Sequence, residues 1–171
     1  DRRAYTHWDV WAQRVSAEGA LVGSEIAICR GSHDQRYPQV AYNSKDNEYL
    51  VVWHHRQSGY YAIHGQRLSA KGGLLGSRFS IPGGGNSQWI PAVAYNSRSN
   101  EYLVAWKATT GRSIYAQRVA ANGGMVGGVI SAASNVQTHW RTVYVAYNRA
   151  RDEYLLVWDK MVAGQSDVHG Q

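Results

Sequence analysis

Tyrosine and tryptophan supply most of the aromatic side chains of this chain, with 12 Tyr and 7 Trp against a single Phe. Several of them stand near arginine or histidine in stretches that have no counterpart elsewhere in the chain. Such rings can stack on the apolar face of a pyranose while neighbouring polar groups hydrogen-bond to its hydroxyls. The residues that predict a carbohydrate-binding site of this kind are Trp8, Tyr60, Trp89, Trp140, Arg36, Arg112, Arg141 and His139. The simpler alternative is that these rings fill gaps between structural units.

Catalytic groups are harder to identify, because the candidate carboxylates recur at a fixed spacing and recurrence favours a structural role. We expect these glutamates to form ion pairs with an equally recurrent arginine, the two sets being Glu48, Glu101 and Glu153 with Arg14, Arg67 and Arg118. His54 and His55 are adjacent, so on a strand they face opposite ways and cannot easily share a metal ion. Cys29 predicts a free, partly buried thiol. We therefore expect no catalytic residue, no metal site, no cofactor and no enzymatic activity.

An internal repeat determines where all these residues lie. Ala-Tyr-Asn is followed each time by Glu-Tyr-Leu and then by a tryptophan, and a Gln-Arg pair also recurs. The tryptophans are Trp53, Trp106 and Trp158, which are 53 and 52 residues apart. A fixed period of this size indicates one supersecondary unit copied along the chain.

Each unit has the pattern of short strands separated by turns. Residues 48–53 place Tyr49, Val51 and Trp53 on one face of a strand and two aliphatic side chains on the other, so this strand should be buried on both faces. Three further β-prone segments lie at 40–42, 63–68 and 78–81, with turn signals at 43–47 and 70–73. The unit therefore consists of four strands, which we label a, b, c and d in chain order.

Four-stranded units of about this length are typical of β-propeller blades. The pattern Val-Ala-Tyr-Asn, Glu-Tyr-Leu-Val-Val-Trp and Gly-Gln-Arg-Leu resembles the blade repeats of large bacterial secreted or cell-surface proteins, and it covers almost the whole chain. The resemblance implies an all-β propeller fold and a secreted or cell-surface location. It says little about function, since propellers serve as enzymes, lectins and scaffolds. A three-fold barrel such as a trefoil or prism is the alternative fold.

The repeat is out of phase with both ends of the chain. Division after each recurrent tryptophan gives a single repeat domain with units 1–53, 54–106 and 107–158 and a partial unit 159–171. We therefore expect about three four-stranded antiparallel repeats plus an extra strand c. Propellers usually have at least about four blades. The chain should thus belong to a larger propeller, or be completed by other copies through self-association of its terminal edge strands.

The loops divide into two classes. The a–b and c–d loops are near copies from unit to unit, whereas the b–c and d–a loops differ and should emerge together on the opposite face, which we call the variable face. The variable loops are 1–9, 54–62, 107–113 and 159–167 between strands b and c, and 30–38, 82–91 and 131–143 between strands d and a. Variable loops on a rigid scaffold commonly carry function, so we place the predicted site there.

Charge and composition restrict the partners. The formal net charge is +6, but the basic residues are scattered, so we expect no nucleic-acid partner. No apolar stretch is long enough for membrane insertion. The sequence therefore predicts a non-catalytic, lectin-like binding module of a secreted or surface protein, with a glycan or protein partner. The alternatives are a structural component of an extracellular assembly and a fragment of a propeller enzyme.

Overall fold

A computed structural model describes residues 7–83, 87–108, 112–136, 143–162 and 165–170. Within these ranges the chain forms strands and no helix. The strands are β1 (Val10–Val15), β2 (Leu21–Cys29), β3 (Gln35–Asn43), β4 (Glu48–Arg56), β5 (Tyr61–Ser69), β6 (Leu74–Ile81), β7 (Gln88–Asn96), β8 (Glu101–Ala108), β9 (Ser113–Ala120), β10 (Met125–Ala133), β11 (Val143–Asn148), β12 (Glu153–Val162) and β13 (Gln165–Gly170).

The strands form four antiparallel sheets in which consecutive strands are paired. Two sheets are complete four-stranded units, one of β3 to β6 and one of β7 to β10. Strands β1 and β2 form a two-stranded sheet that corresponds to strands c and d, and β11 to β13 form a three-stranded sheet that corresponds to strands a, b and c. The predicted all-β fold of four-stranded antiparallel repeats is confirmed, and among the described residues strand c occurs once more often than the others.

Strand b holds adjacent sheets together, because both of its faces are apolar. Trp53 of β4 packs with Val10 and Ile28 of the first sheet. On the other face of β4, Leu50 packs against Trp106 of the next sheet. Trp53 and Trp106 are both fully buried. The removal of such a side chain from water contributes roughly 1.5–3 kcal/mol or more.

The same arrangement continues into the last sheet. Trp158 of β12 lies in a cluster with Leu103 and Ala105 of β8. Each recurrent tryptophan therefore packs against the preceding sheet, and the aliphatic residues of strand b pack against the following one. The repeat in the sequence thus reflects a repeated contact between sheets.

The strands extend further towards the variable face than the sequence predicted. β4 continues to Arg56, and β3 already begins at Gln35, inside segments that were predicted to be loops. The ladder extends because Arg36 pairs with His54, and Trp89 of β7 pairs with Lys107 in the same way. These positions carry different polar or aromatic residues in each unit, so no apolar pattern revealed the strand.

Two of the predicted ion pairs are confirmed, whereas Glu153 and Arg14 do not form the predicted pairs. Arg67 donates from Nε and Nη2 to the Glu48 carboxylate at 3.0 and 2.8 Å. Arg118 lies 3.5 Å from Glu101. Glu153 instead pairs with the neighbouring Arg151 at 3.0 Å, which corrects the predicted pairing of this glutamate.

Arg14 is the other exception to the predicted ion pairs. Its Nη1 donates to the carbonyl of Ala70 at 3.3 Å rather than to a carboxylate. The sheet of β1 and β2 contains no strand b among the described residues, and strand b carries the glutamate in the complete sheets.

The double burial of strand b can be tested with two leucines that occupy the same position of the repeat. Leu50 is 0% exposed and Leu155 is 50% exposed. We expect Leu50→Ala to lower the free energy of unfolding by about 2–5 kcal/mol and Leu155→Ala by less than about 1 kcal/mol, as measured by urea denaturation. Equal losses in the two variants would contradict the proposed role of contacts between sheets.

Candidate functional site

An aromatic cluster lies on the variable face between the two four-stranded sheets. It consists of Tyr37 on β3, His54 on β4, Tyr61 on β5 and Trp89 on β7. The His54 ring centre is 4.7 Å from Tyr61, 4.8 Å from Tyr37 and 5.3 Å from Trp89. The Tyr61 and Trp89 ring centres are 4.4 Å apart. Side chains from four strands thus form one continuous aromatic surface across a sheet boundary.

Strained backbone positions accompany this cluster. Tyr37 and Ile90 have φ angles of 54° and 49°, and each precedes a proline. The pairing register shifts at both places, which marks a bulge near the start of strand a. A left-handed conformation in a bulky residue costs of the order of 1–3 kcal/mol and is common at functional sites. The bulges also re-aim the side chains at the start of strand a.

Trp8 forms a second platform beside this cluster. Its side chain is 64% exposed, and the Arg36 guanidinium lies 5.1 Å from the ring centre. Arg36 pairs with Asp34 at 3.2 Å, and the Trp8 backbone N–H donates to Asp34 at 3.2 Å. An exposed indole is therefore held next to a cation and a carboxylate, which is a suitable arrangement for a ring with hydroxyl groups.

Tyr60 lies beside a cavity of about 430 Å³ on the same face. Its hydroxyl donates to the Gln57 side chain. Tyr61 and Gln88 also line the cavity. Its volume falls in the range of small-ligand sites, about 300–1,000 Å³.

Of the other predicted site residues, one lies apart from these groups and three lie outside the described residues. Arg112 is exposed, and its carbonyl accepts a hydrogen bond from the Val136 N–H at 2.6 Å. Trp140, Arg141 and His139 lie outside the described residues. The structure therefore brings Trp8 next to Arg36 and adds Trp89 through the aromatic cluster. Their binding role stays a prediction.

Burial keeps His54 neutral. His54 is 1% exposed, and neither ring nitrogen has a hydrogen-bond partner among the described residues. Burial and, to a lesser extent, the positive charge of Arg36 lower the pKa of His54 to about 4, whereas the charge of Asp34 acts in the opposite direction. A neutral imidazole can accept a hydrogen bond from a hydroxyl at pH 7.

The position of His54 in the repeat could have identified it from sequence. It directly follows the recurrent tryptophan, and the next two units place Lys107 and Asp159 there. Burial lowers the pKa of Lys107, while Asp159 opposes that shift. A scaffold position filled by a histidine, a lysine and a carboxylate is variable in chemistry, which the prediction overlooked because the apolar pattern of strand b ends one residue earlier.

The other face of β4 carries a separate histidine group. His55 stacks near His64, with ring centres 4.7 Å apart, and the His33 ring centre is 6.1 Å away. His54 and His55 therefore face opposite ways, as predicted. Cys29 is free and buried, and Arg78 donates to its Sγ at 3.1 Å. No group of three or more ligating side chains that could hold a metal ion occurs in the part of the chain that the structure describes.

No protein-family model matches this chain, and no curated protein matches it in sequence. Two solved structures are similar in fold. One is exo-β-1,3-galactanase from Phanerochaete chrysosporium with β-1,3-galactotriose, at a TM-score of 0.58 and 14% identity over 91% of this chain. The other is a thermostable family-43 glycoside hydrolase, at a TM-score of 0.56 and 12% identity over 92% of this chain.

These similarities confirm the β-propeller fold. The chain spans 38% of the galactanase chain and 65% of the other hydrolase chain. They also correct one expectation: we predicted that the protein is not an enzyme, and that prediction is wrong, because both propellers are glycoside hydrolases. The absence of a recognisable motif was a poor guide, since catalytic groups on a propeller need no fixed local sequence. Within the described ranges no helix is long and apolar enough to cross a membrane.

The buried histidines predict a pH-dependent stability. Burial lowers the pKa values of His54 and His64 to about 4 in the folded protein, whereas an unfolded histidine titrates near 6.5. The unfolded state therefore binds more protons between these values, so the free energy of unfolding should fall as the pH drops from about 6.5 to 4. Each histidine contributes at most about 1.4 kcal/mol per pH unit.

The check is the difference in Tm between pH 7.0 and pH 5.0 for two matched variants. We expect His54→Gln to reduce this difference clearly, because the amide does not titrate. His7→Gln is the control, since His7 is exposed and belongs to neither histidine group, and it should behave like the wild type. The same pH dependence in both variants would contradict a neutral, buried His54.

Proposed function

We propose that this chain is part of a carbohydrate-active β-propeller whose variable face binds a glycan. The observation that supports this most directly is the exposed Trp8 ring beside the Arg36 guanidinium, with Asp34 paired to Arg36 and accepting a hydrogen bond from the Trp8 backbone N–H. The aromatic cluster with Trp89 lies next to it, because Arg36 is the strand partner of His54.

The chemistry of these groups suits a sugar better than a charged or purely apolar ligand. Indole and phenol rings cover the C–H face of a pyranose. The Arg36 guanidinium donates hydrogen bonds, and the Asp34 carboxylate accepts them from hydroxyl groups. Their mutual ion pair lowers the net charge of the platform, so a neutral oligosaccharide can bind without leaving a buried unpaired charge.

The similar structures support the same class of ligand. One contains β-1,3-galactotriose, and both are glycoside hydrolases, although at 14% and 12% identity they carry over the fold alone. A role on polysaccharides is consistent with a secreted or cell-surface protein, and we propose that location. The glycan itself is defined here only by class, as an oligosaccharide that offers a pyranose face to Trp8.

Binding can be tested with three tryptophan variants. We expect Trp8→Ala and Trp89→Ala to weaken glycan affinity at least about tenfold, measured by calorimetry on a ligand selected from a glycan array. Trp11→Ala is the matched control: Trp11 in strand β1 is 46% exposed and has the Arg30 guanidinium 5.6 Å from its ring centre, so it is an exposed indole beside an arginine outside the proposed site. Equal weakening by Trp11→Ala, or no binding of the wild type across the array, would refute the proposed site.

Hydrolysis of the bound glycan is a second candidate function, which the carboxylates on this face favour. Glycosidic bond hydrolysis generally uses two carboxyl groups, one on each side of the bond. The described side chains of this kind on the variable face are Asp9, Asp34 and Asp159. The Oδ1 atom of Asp159 is buried without a hydrogen-bond partner among the described residues.

Replacement of each carboxylate by asparagine tests this second function. We expect reducing-sugar release from β-1,3-galactotriose or another member of an oligosaccharide panel, and a loss of at least about 100-fold in one or more of Asp9→Asn, Asp34→Asn and Asp159→Asn. Asp152→Asn is the control, because Asp152 lies in an a–b turn on the opposite face. Release that none of the three variants affects, or no release at all, would exclude this mechanism and leave glycan binding to be judged separately.

A further inference from the structure

A groove of about 630 Å³ runs between the two-stranded first sheet and the sheet of β3 to β6. Val40, Tyr49, Val51 and Leu68 line it on one side, and Arg14 of β1 lines it on the other. The two grooves at the corresponding places further along the chain are filled by strands a and b of the preceding sheet. The first sheet has neither strand among the described residues.

A comparison of equivalent residues in strand c shows that β1 lacks a neighbouring strand among the described strands. Val15 on β1 is 60% exposed, whereas Leu68 and Val119, which hold the same position in the repeat, are 4% and 0% exposed. Strands β5 and β9 pair on both edges, whereas β1 pairs only with β2 among the described strands. Within the described part of the chain its other edge is therefore unpaired, and such an edge can accept another strand.

The contacts of the arginine that recurs in strand c also indicate that a strand b is missing beside β1 among the described strands. Arg67 contacts two partners: it donates to the Glu48 carboxylate at 3.0 and 2.8 Å and to the carbonyl of Asn122 in the next sheet at 3.4 Å. Arg14 makes a similar contact with the turn of the next sheet, where it donates to the carbonyl of Ala70 at 3.3 Å. Among the described residues it has no carboxylate partner, so the groove is complementary to a strand that brings a glutamate.

We infer that the open edge of β1 and this groove bind a polypeptide hairpin with the strand a and strand b sequence of this repeat. In the complete sheet Glu48 lies opposite Ser69, Leu50 opposite Arg67 and Trp53 opposite His64. The same register places the incoming glutamate opposite Ser16, its leucine opposite Arg14 and its tryptophan opposite Trp11.

The hairpin would also cover apolar surface on the neighbouring sheet. Val40 and Tyr42 of β3 are 60% and 46% exposed. Their equivalents Val93 and Tyr95 on β7 are packed into the core between sheets. Burial of apolar surface and completion of the strand edge therefore act together with the ion pair.

A second copy of this chain is a poorer occupant. Its first two strand b segments are each paired on both edges, and its β12 is already paired with β13 from Val157 to Val162. A second copy would have to break one of these ladders before its own hairpin could dock. A hairpin from a further blade carries no such cost.

The experiment adds this hairpin to the full chain. Residues 88–108, which form the β7–β8 hairpin, are duplicated ahead of residue 1, and a control protein carries the same duplicate after residue 171. Amide hydrogen exchange is followed in β1. We expect exchange there to slow at least about tenfold in the first protein and to stay unchanged in the control.

Two substitutions test the ion pair. Glu101→Gln in the duplicated copy only, or Arg14→Gln, should each remove about tenfold of the added protection, and both together should remove no more than either alone. Unchanged exchange in β1, equal slowing in the control protein, or additive effects of the two substitutions would overturn the inference. Protection of β1 in the unmodified chain that rises with protein concentration would also overturn it, in favour of a second copy.

Discussion

The structure depends on one constraint, which is that strand b must be buried on both faces. Trp53 closes the contact with the preceding sheet, and Leu50 closes the contact with the following one. Neither face can be buried within a single sheet, so each sheet is stable only between neighbours. This requirement explains why the repeat is so regular in strand b. It also explains why apolar residues such as Val15 and Leu155 are exposed where the described residues supply no neighbouring strand or sheet.

The same rigid stacking supports a face that is free to vary. Beyond the recurrent tryptophan, strand b continues for a few residues whose side chains no longer hold the sheets together. His54 therefore meets Tyr61 and Trp89 across a sheet boundary, and Arg36 reaches the exposed Trp8. A binding surface made of strand ends is better ordered than one made of loops alone, which reduces the conformational entropy lost when a ligand binds.

The sequence predicted the four-strand unit, the doubly buried strand and the ion pairs of Glu48 and Glu101, because each of these recurs. It could not predict how far strands extend into variable segments, since the pairing of Arg36 with His54 involves no apolar pattern. The contact between His54 and Trp89 was also hidden, because it joins different units. The prediction that the protein is not an enzyme failed for a related reason, because function on this fold resides in residues that do not repeat.

The most direct test of the account is an NMR titration of the indole N–H signals with a glycan that the chain binds. The predicted result is that the Trp8 and Trp89 signals shift while those of the buried Trp53 and Trp106 stay in place. This outcome would locate the ligand on the variable face, which the stacked sheets support. Saturating glycan that leaves Trp8 and Trp89 unshifted, or that shifts Trp11 instead, would contradict the central claim.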